Sequence, residues 1–135
     1  KRMRGIAIRE ELTDEWKKHG VALQKEYEIL TAEISKAAFG LTPSAHKKVK
    51  GLKRHNLRDH MTDLELIFSM LGEAATTQIT QIEHPKGFPS NKAVARRGGS
   101  VAGIAREKLE QETRKKVVSK TNYLPKPKIK LPKSQ

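Results

Sequence analysis

The helical spacing of its apolar residues is the feature that most constrains the fold of this chain. Apolar side chains recur every three or four positions through most of the first 113 residues, as they do on the buried side of an amphipathic helix. The alternating pattern of a half-buried strand is almost absent, and there is no internal repeat. We therefore predict an all-α fold, a compact bundle of about five helices.

Glycine, proline and capping residues predict where these helices begin and end. The predicted helices cover residues 4–19, 22–38, 43–50, 63–83 and 91–113. Gly20 and Gly40 are natural stops for the first two helices, which we expect to form an antiparallel hairpin. Thr42 is expected to cap the third helix, which begins at Pro43 and ends before Gly51. A further turn is expected over 52–58.

A capping box precedes the predicted central helix and is the strongest local signal. Thr62 and Glu65 have the spacing at which each side chain satisfies a free backbone amide of the other residue. The predicted buried stripe of this helix consists of Leu64, Ile67, Phe68, Leu71, Ala75, Ile79 and Ile82. Gly72 lies inside the helix, where close packing against a neighbour would explain it.

The last predicted helix has an inner side of small residues and is expected to start behind a cap at Ser90, after a loop over 84–89. The small residues are followed by two larger ones, and the set is Ala93, Ala95, Gly99, Ala102, Gly103, Ala105, Ile104 and Leu109. Gly99 and Gly103 are one turn apart and allow another helix to approach closely. This glycine face is the predicted contact of a homodimer. A break at Gly98-Gly99 is the alternative to one continuous helix.

The net charge of +13 is unevenly distributed along the chain. Residues 1–113 carry 20 Lys/Arg and all 15 Asp/Glu, whereas residues 114–135 carry 8 Lys/Arg and no acid. Three prolines alternate with lysines near the end, which is typical of an extended, mobile segment. We predict one α-helical domain over 1–124 and a disordered, flexible Lys/Pro tail over 125–135. The pair Val117-Val118 is expected to form a short strand or an anchor.

A second basic cluster lies inside the predicted domain and is the candidate binding surface. The candidate nucleic-acid-binding residues are Lys47, Lys48, Lys50, Lys53, Arg54, Arg58, Arg96 and Arg97. Basic clusters attract polyanions because binding releases condensed counterions. A solvated basic surface that keeps the protein soluble is the alternative. No aromatic residue lies among the cations from 47 to 58, so the sequence does not indicate base stacking there.

Residue types that carry chemistry are present but do not form a recognisable catalytic motif. The chain has no cysteine, which excludes disulfides and thiolate zinc sites and fits a reducing, cytoplasmic environment. The densest grouping of imidazoles and carboxylates is His55, Asp59, His60 and Asp63. It matches no metal-binding motif, and a turn-fixing role is simpler. We therefore predict a non-enzymatic protein without a cofactor, a metal or a membrane span, and rank a metal-dependent nuclease last.

Three stretches of the chain carry a family resemblance. These are GLTP at 40–43, the stretch from Lys50 to Leu66 and the small-residue stretch from Asn91 to Arg106, and the block KGLKRHNLRDHM at 50–61 is the most specific element. Together they resemble the C-terminal region of DNA-damage-inducible protein D and of BRO-type prophage antirepressors of bacteria. The resemblance covers roughly residues 5–124. Because the chain starts with Lys1, we expect it to be part of a longer protein with an N-terminal BRO-type domain.

The resemblance implies a regulatory protein of the bacterial DNA-damage (SOS) response or of a prophage. Its partner would be DNA or a DNA-bound protein such as a recombinase filament. It implies no catalytic residue. The alternative hypothesis is a dimerisation or protein-interaction domain whose charge serves solubility.

Overall fold

A computed structural model describes residues 2–121 and shows a bundle of six α-helices. The helices are α1 (Arg2–Lys18), α2 (Gln24–Phe39), α3 (Pro43–Val49), α4 (Leu57–His60), α5 (Asp63–Glu83) and α6 (Gly87–Thr113). Residues 2–121 contain no strand, which confirms the all-α prediction. The predicted tail over 125–135 and the last residues of the predicted domain lie outside the described residues.

Several predicted helix ends are confirmed by their capping geometry. Gly40 ends α2 in the left-handed conformation, and its amide donates to the Lys36 carbonyl. The Thr42 side chain accepts from the Ala45 amide at the start of α3. Thr62 and Glu65 form the predicted capping box of α5. Local chemistry therefore sets these boundaries.

The predicted start of the last helix is wrong, because α6 begins at Gly87 and not behind Ser90. Pro89 is tolerated there since amides in the first turn of a helix have no intrahelical partner. The Gly87 amide instead donates to the carbonyl of His19 at 2.9 Å. The Asn91 side chain also donates to His19, at 3.2 Å, and so ties α6 to the end of α1. The helix continues without a break through Gly98 and Gly99.

The main helix pairs are α2 with α6, α5 with α6 and α1 with α5. The predicted hairpin of the first two helices is therefore not the main pairing. Side chains still connect α1 and α2, because the ring of Trp16 stacks on that of Tyr27 with centroids 6.0 Å apart. Val117, beyond α6, is buried beside Phe39 and Phe68, so it is an anchor and not a strand.

The small residues of α6 pack against α2 of the same chain. A Cβ added to Gly103 would lie 2.2 Å from the carbonyl oxygen of Ala37, and one added to Gly99 would lie 2.6 Å from that of Ile34. Such distances leave no room for a side chain. The Gly99/Gly103 face is thus covered within the chain, and the prediction that this face forms a homodimer is wrong. Ala93, Ile104 and Ala105, which were predicted to face inward, are exposed.

The buried side of α5 is largely polar, contrary to the predicted stripe. Phe68 is buried as predicted, but Glu65, Glu73, Thr76 and Thr80 are buried with it. The threonine hydroxyls are satisfied within the helix, since each donates to the carbonyl four residues earlier. Four members of the predicted stripe are at least 37% exposed, namely Leu64, Ile67, Leu71 and Ile82.

The exposed apolar side of α5 continues onto α6. Arg97 of α6 pairs with Glu83 of α5 at 2.7 Å, which places that side of α6 next to α5. Val101 and Ile104 follow on the same side of α6 and are 46% and 69% exposed. We call this surface the apolar α5/α6 face, and it consists of Leu64, Ile67, Leu71, Ile82, Val101 and Ile104.

Candidate nucleic-acid interface

Lys50, one of the eight predicted binding residues, is buried and cannot reach a polyanion. Its ammonium nitrogen Nζ lies 2.6 Å from Oε1 of Glu65, and both side chains are fully buried. Nζ also donates to the carbonyls of Ser119, at 2.9 Å, and Thr121. The predicted role of Lys50 is therefore wrong, since it joins α3 to α5 and to the segment after α6.

Glu65 is the centre of this buried ionic cluster. Burial disfavours its ionised form, but hydrogen bonds from His46, Lys50 and the amides of Thr62 and Ser119 outweigh burial and lower its pKa. The His46 Nε2 atom lies 3.1 Å from Oε2, and the Ser119 amide donates to the same oxygen at 3.1 Å. The carboxylate thus has partners on three separate segments.

Arg58 is also held inside the fold. Its Nη1 atom donates to Oε2 of Glu73 at 2.9 Å, and Nη2 donates to the carbonyl of Gly5 at 3.4 Å. Arg9 of α1 donates to the same Glu73 oxygen at 3.2 Å. Arg58 therefore connects α4 to α1 and α5, and its predicted role as a direct phosphate ligand is not supported by these contacts.

Arg96 and Arg97 lie on α6, where each is paired with an acid of a neighbouring helix. Arg96 is 3.1 Å from Glu33 of α2, and Arg97 is 2.7 Å from Glu83 of α5. The Glu83 hydrogen bond raises the pKa of Arg97. The structure therefore places these two predicted binding residues in ion pairs that join α6 to α2 and to α5.

Four predicted binding residues remain at the surface around α3. These are Lys47, Lys48, Lys53 and Arg54. None of them forms an ion pair with another residue between 2 and 121. Lys47 is half-buried, and the other three are exposed. Their cationic groups are thus free of internal neutralisation, unlike those of Lys50 and Arg96.

A groove of about 780 Å³ between α1, α2 and α3 brings Lys47 together with cations from α1. Arg9 and Lys17 line its α1 side, Glu28 is the acid among the lining residues, and Tyr27 contributes an aromatic ring. Arg9 is already paired with Glu73, so Lys17 and Lys47 against the carboxylate of Glu28 give the groove its net positive charge. Hydroxyl groups of threonine and serine residues complete the polar lining.

A narrower cavity of about 330 Å³ adjoins the groove, and the two share Arg9, Thr31, Pro43 and Lys47. The buried lining residues of this cavity are Ile34, Ala38, Phe39, Leu57, Met61, Ser69 and Glu73. We call it the inner cavity. Its interior is therefore mainly apolar, with a hydroxyl and a carboxyl group, whereas the shared cations lie where it meets the groove.

The carboxyl group of Glu73 in this inner cavity is only partly satisfied. Both arginines donate to Oε2, but the buried Oε1 has no hydrogen-bond partner among the described residues. Burial raises the pKa of Glu73, although Arg58 and Arg9 oppose that shift. A buried acceptor without a partner is costly, which makes Oε1 a natural acceptor for a ligand donor.

The grouping of His55, Asp59, His60 and Asp63 does not form a metal centre. The rings of His55 and His60 meet edge to face with centroids 5.4 Å apart, and Asp59 is exposed. Across residues 2–121, no group of three or more metal-ligating side chains is placed to hold an ion. The arrangement offers no support for the nuclease alternative.

Sequence reasoning missed the residues of α1, α2 and α5 that line the groove and the inner cavity. Arg9, Lys17 and Tyr27 are separated from Lys47 by at least 20 positions, and no local pattern links them. Glu73 is a charged residue on the buried side of α5, and a buried charge is a sign of a functional site. The sequence does not show this sign, because it does not show which side of α5 is buried.

No family model matches the sequence, and no curated protein or solved structure is significantly similar to it. The resemblance to the BRO-type family therefore stays a prediction. In the part of the chain that the structure describes, no helix is long and apolar enough to cross a membrane.

Proposed function

We propose that this chain is a non-enzymatic nucleic-acid-binding domain that uses the groove between α1, α2 and α3. The observation that carries the proposal is the meeting of Arg9, Lys17 and Lys47 around one groove, although they come from separate parts of the sequence. A concave surface lined by one sign of charge concentrates polyanions. Lys48, Lys53 and Arg54 extend the positive surface around α3.

The groove favours a single strand over a duplex. Tyr27 lies along the groove and the inner cavity opens from it, so bases as well as phosphates find contacts. Proteins that bind single strands combine a positive groove with aromatic or apolar surfaces for the bases. In the setting that the family resemblance implies, the domain acts in a bacterial DNA-damage response or a prophage switch, on single-stranded DNA or on a recombinase filament that coats it.

The proposal predicts salt-sensitive binding of a labelled single-stranded oligonucleotide. If about six phosphates are neutralised, the logarithm of the binding constant falls against the logarithm of salt concentration with a slope of about −4. Fluorescence anisotropy over a salt series measures this slope. Absence of binding at low salt would overturn the proposal.

Charge-matched variants locate the binding surface. The double substitution Lys17→Ala/Lys47→Ala removes two groove cations and is expected to reduce the magnitude of the slope by about 1 to 1.5. The control Lys108→Ala/Lys116→Ala removes the same charge near the other end of α6, where both lysines already pair with acids. Equal losses in the two variants would contradict groove binding and indicate a non-specific effect of net charge.

The second candidate function is self-association through the apolar α5/α6 face. Six large apolar side chains are exposed on this one face. Single exposed apolar residues are common on protein surfaces, but a group of this kind is typical of an interaction site. The six side chains of the face are uncharged and the adjacent Arg97–Glu83 pair has no net charge, so a second copy meets little electrostatic repulsion from them. This candidate replaces the predicted glycine interface with a surface that is open in the monomer.

A further inference from the structure

We propose that the inner cavity receives one unstacked nucleobase of a single-stranded nucleic acid, with Glu73 accepting a hydrogen bond from an N–H group of the base. This inference rests on the proposed function, because the strand in the groove delivers the base. It adds a site for one particular base to a groove that otherwise contacts phosphates and, through Tyr27, any base.

The shape and lining of the inner cavity suit a flat heterocycle. Its volume of about 330 Å³ lies within the range of small-molecule sites. Ile34, Phe39, Leu57 and Met61 provide apolar and aromatic walls. Pockets that hold an extruded base have this composition, since apolar side chains cover the faces of the ring while a few polar groups contact its edge.

The polar groups of the inner cavity complement the edge of a base. Glu73 lines the inner cavity, and its Oε1 atom is buried without a partner in the described part of the chain. Oε1 is closed to water, so a base N–H group satisfies this acceptor once the side chain turns towards the cavity. Glutamate accepting from the cytosine amino group is an established pairing in base recognition. Arg9 and Arg58 both donate to the other oxygen, Oε2, and leave Oε1 for the base. The Ser69 hydroxyl lines the same cavity and adds a donor or acceptor.

The cations at the junction with the groove select a nucleotide over a simple amine. Arg9, Arg58 and Lys47 line the inner cavity against the single carboxylate of Glu73, so the cavity repels a cationic ligand. A nucleotide places its neutral base inside and its phosphate near the shared residues Arg9 and Lys47. The apolar interior for the base and the cations for the phosphate therefore lie side by side, as the base and the phosphate do in a nucleotide.

The test compares two oligonucleotides of equal charge. A labelled twelve-residue oligodeoxycytidine and an oligomer of the same length with an abasic residue at every position are titrated against the full chain by fluorescence anisotropy. We expect the cytidine oligomer to bind about tenfold more tightly, the effect of placing one base in contact with the protein. Equal affinities would overturn the base-binding inference and leave the proposed function intact.

A titration with a mononucleotide separates the inner cavity from the groove. Deoxycytidine monophosphate is added to isotopically labelled protein and followed by NMR, with deoxyribose 5-phosphate as the ligand without a base. Amide shifts at Leu57 and Ser69 with the nucleotide alone support the inference, even if the oligonucleotides fail to bind and the proposed function is wrong. Absence of these shifts would overturn it.

Two variants test the assigned role of Glu73. Glu73→Gln is expected to reduce the preference for cytidine over abasic oligomers to within about twofold, whereas Glu112→Gln on exposed α6 preserves the tenfold preference. Thr31→Trp keeps Glu73 and fills the junction of the cavity with the groove, and it is expected to remove the same preference. A tenfold preference that survives in folded Thr31→Trp protein would contradict occupancy of the inner cavity.

Discussion

Glu65 shows how a single side chain can have both a local and a long-range role. Oε1 accepts from the Thr62 amide at 2.8 Å as part of the capping box. The same carboxylate contacts Lys50 and His46 of α3 and the Ser119 amide of the segment that follows α6. Loss of its charge therefore affects the start of α5 and two other segments together.

The lowered pKa of Glu65 predicts a specific pH dependence of stability. Its contribution is fully present above the ordinary glutamate value of about 4.3 and is lost as the pH falls through the lower folded value. Glu65→Gln leaves a buried lysine without its counter-charge and is expected to cost about 3–5 kcal/mol of unfolding free energy at pH 7. Urea unfolding between pH 7 and 3 should show the difference from the parent chain shrinking in acid.

The matched control for Glu65 is Glu112→Gln, which alters an exposed pair with Lys108. This control should change the unfolding midpoint little at any pH, since exposed ion pairs contribute little. A stability difference for Glu65→Gln that stays constant down to pH 3 would contradict the assigned ionisation.

Lys50 illustrates what the sequence leaves undetermined at the residue scale. Its neighbours Lys47, Lys48 and Lys53 are cations too, and a linear pattern does not distinguish the one that turns inward. The capping box predicts one contact of Glu65 but not its second oxygen, which meets residues up to 54 positions away. Charge clusters in a sequence therefore identify a region more reliably than its individual contacts.

At the scale of helices, the approach of α6 to α2 depends on the absence of side chains at two positions. Gly103→Ala would place a Cβ 2.2 Å from the Ala37 carbonyl oxygen, so the helices must separate. Overpacking of this kind costs about 1–3 kcal/mol. Thermal unfolding should show a clear decrease in the melting temperature, whereas Ala105→Ser on the exposed side of α6 should change it little. An unchanged melting temperature for Gly103→Ala would contradict the described packing.

The sequence predicted most of the helices because capping residues act locally, as at Gly40, Thr42 and Thr62. It did not predict which side of α5 is buried. Helical spacing shows that Leu64 and Leu71 share a side, but neighbouring helices decide whether that side is covered. Here Gly72 and Gly98 bring α6 against α5 on the adjacent side, where Thr76 can satisfy its hydroxyl internally. Prediction of the groove would likewise have required knowing how α1, α2 and α3 pack together.

Over the whole molecule, the two candidate surfaces lie on different helices and should function separately. The groove belongs to α1, α2 and α3, and the apolar α5/α6 face belongs to the last two helices. If the chain self-associates, Ile104→Glu is expected to make it monomeric in analytical ultracentrifugation, because a carboxylate in an apolar interface is poorly solvated.

The groove variant provides the reciprocal measurement for this independence. Lys17→Ala/Lys47→Ala should weaken oligonucleotide binding without changing the sedimentation behaviour, and Ile104→Glu should leave the anisotropy titration unchanged. A monomeric parent chain at high concentration would exclude self-association. If either variant lost both oligonucleotide binding and self-association, one surface would serve both functions.

The attachment of Ser119 and Thr121 to Lys50 has a consequence for how the described fold is closed. Both carbonyls accept a hydrogen bond from the ammonium group of Lys50, so the segment after α6 is held beside the end of α3. The same nitrogen also faces the Glu65 carboxylate at the start of α5. One buried lysine therefore fastens the end of α3, the start of α5 and the last part of the described helical bundle to each other.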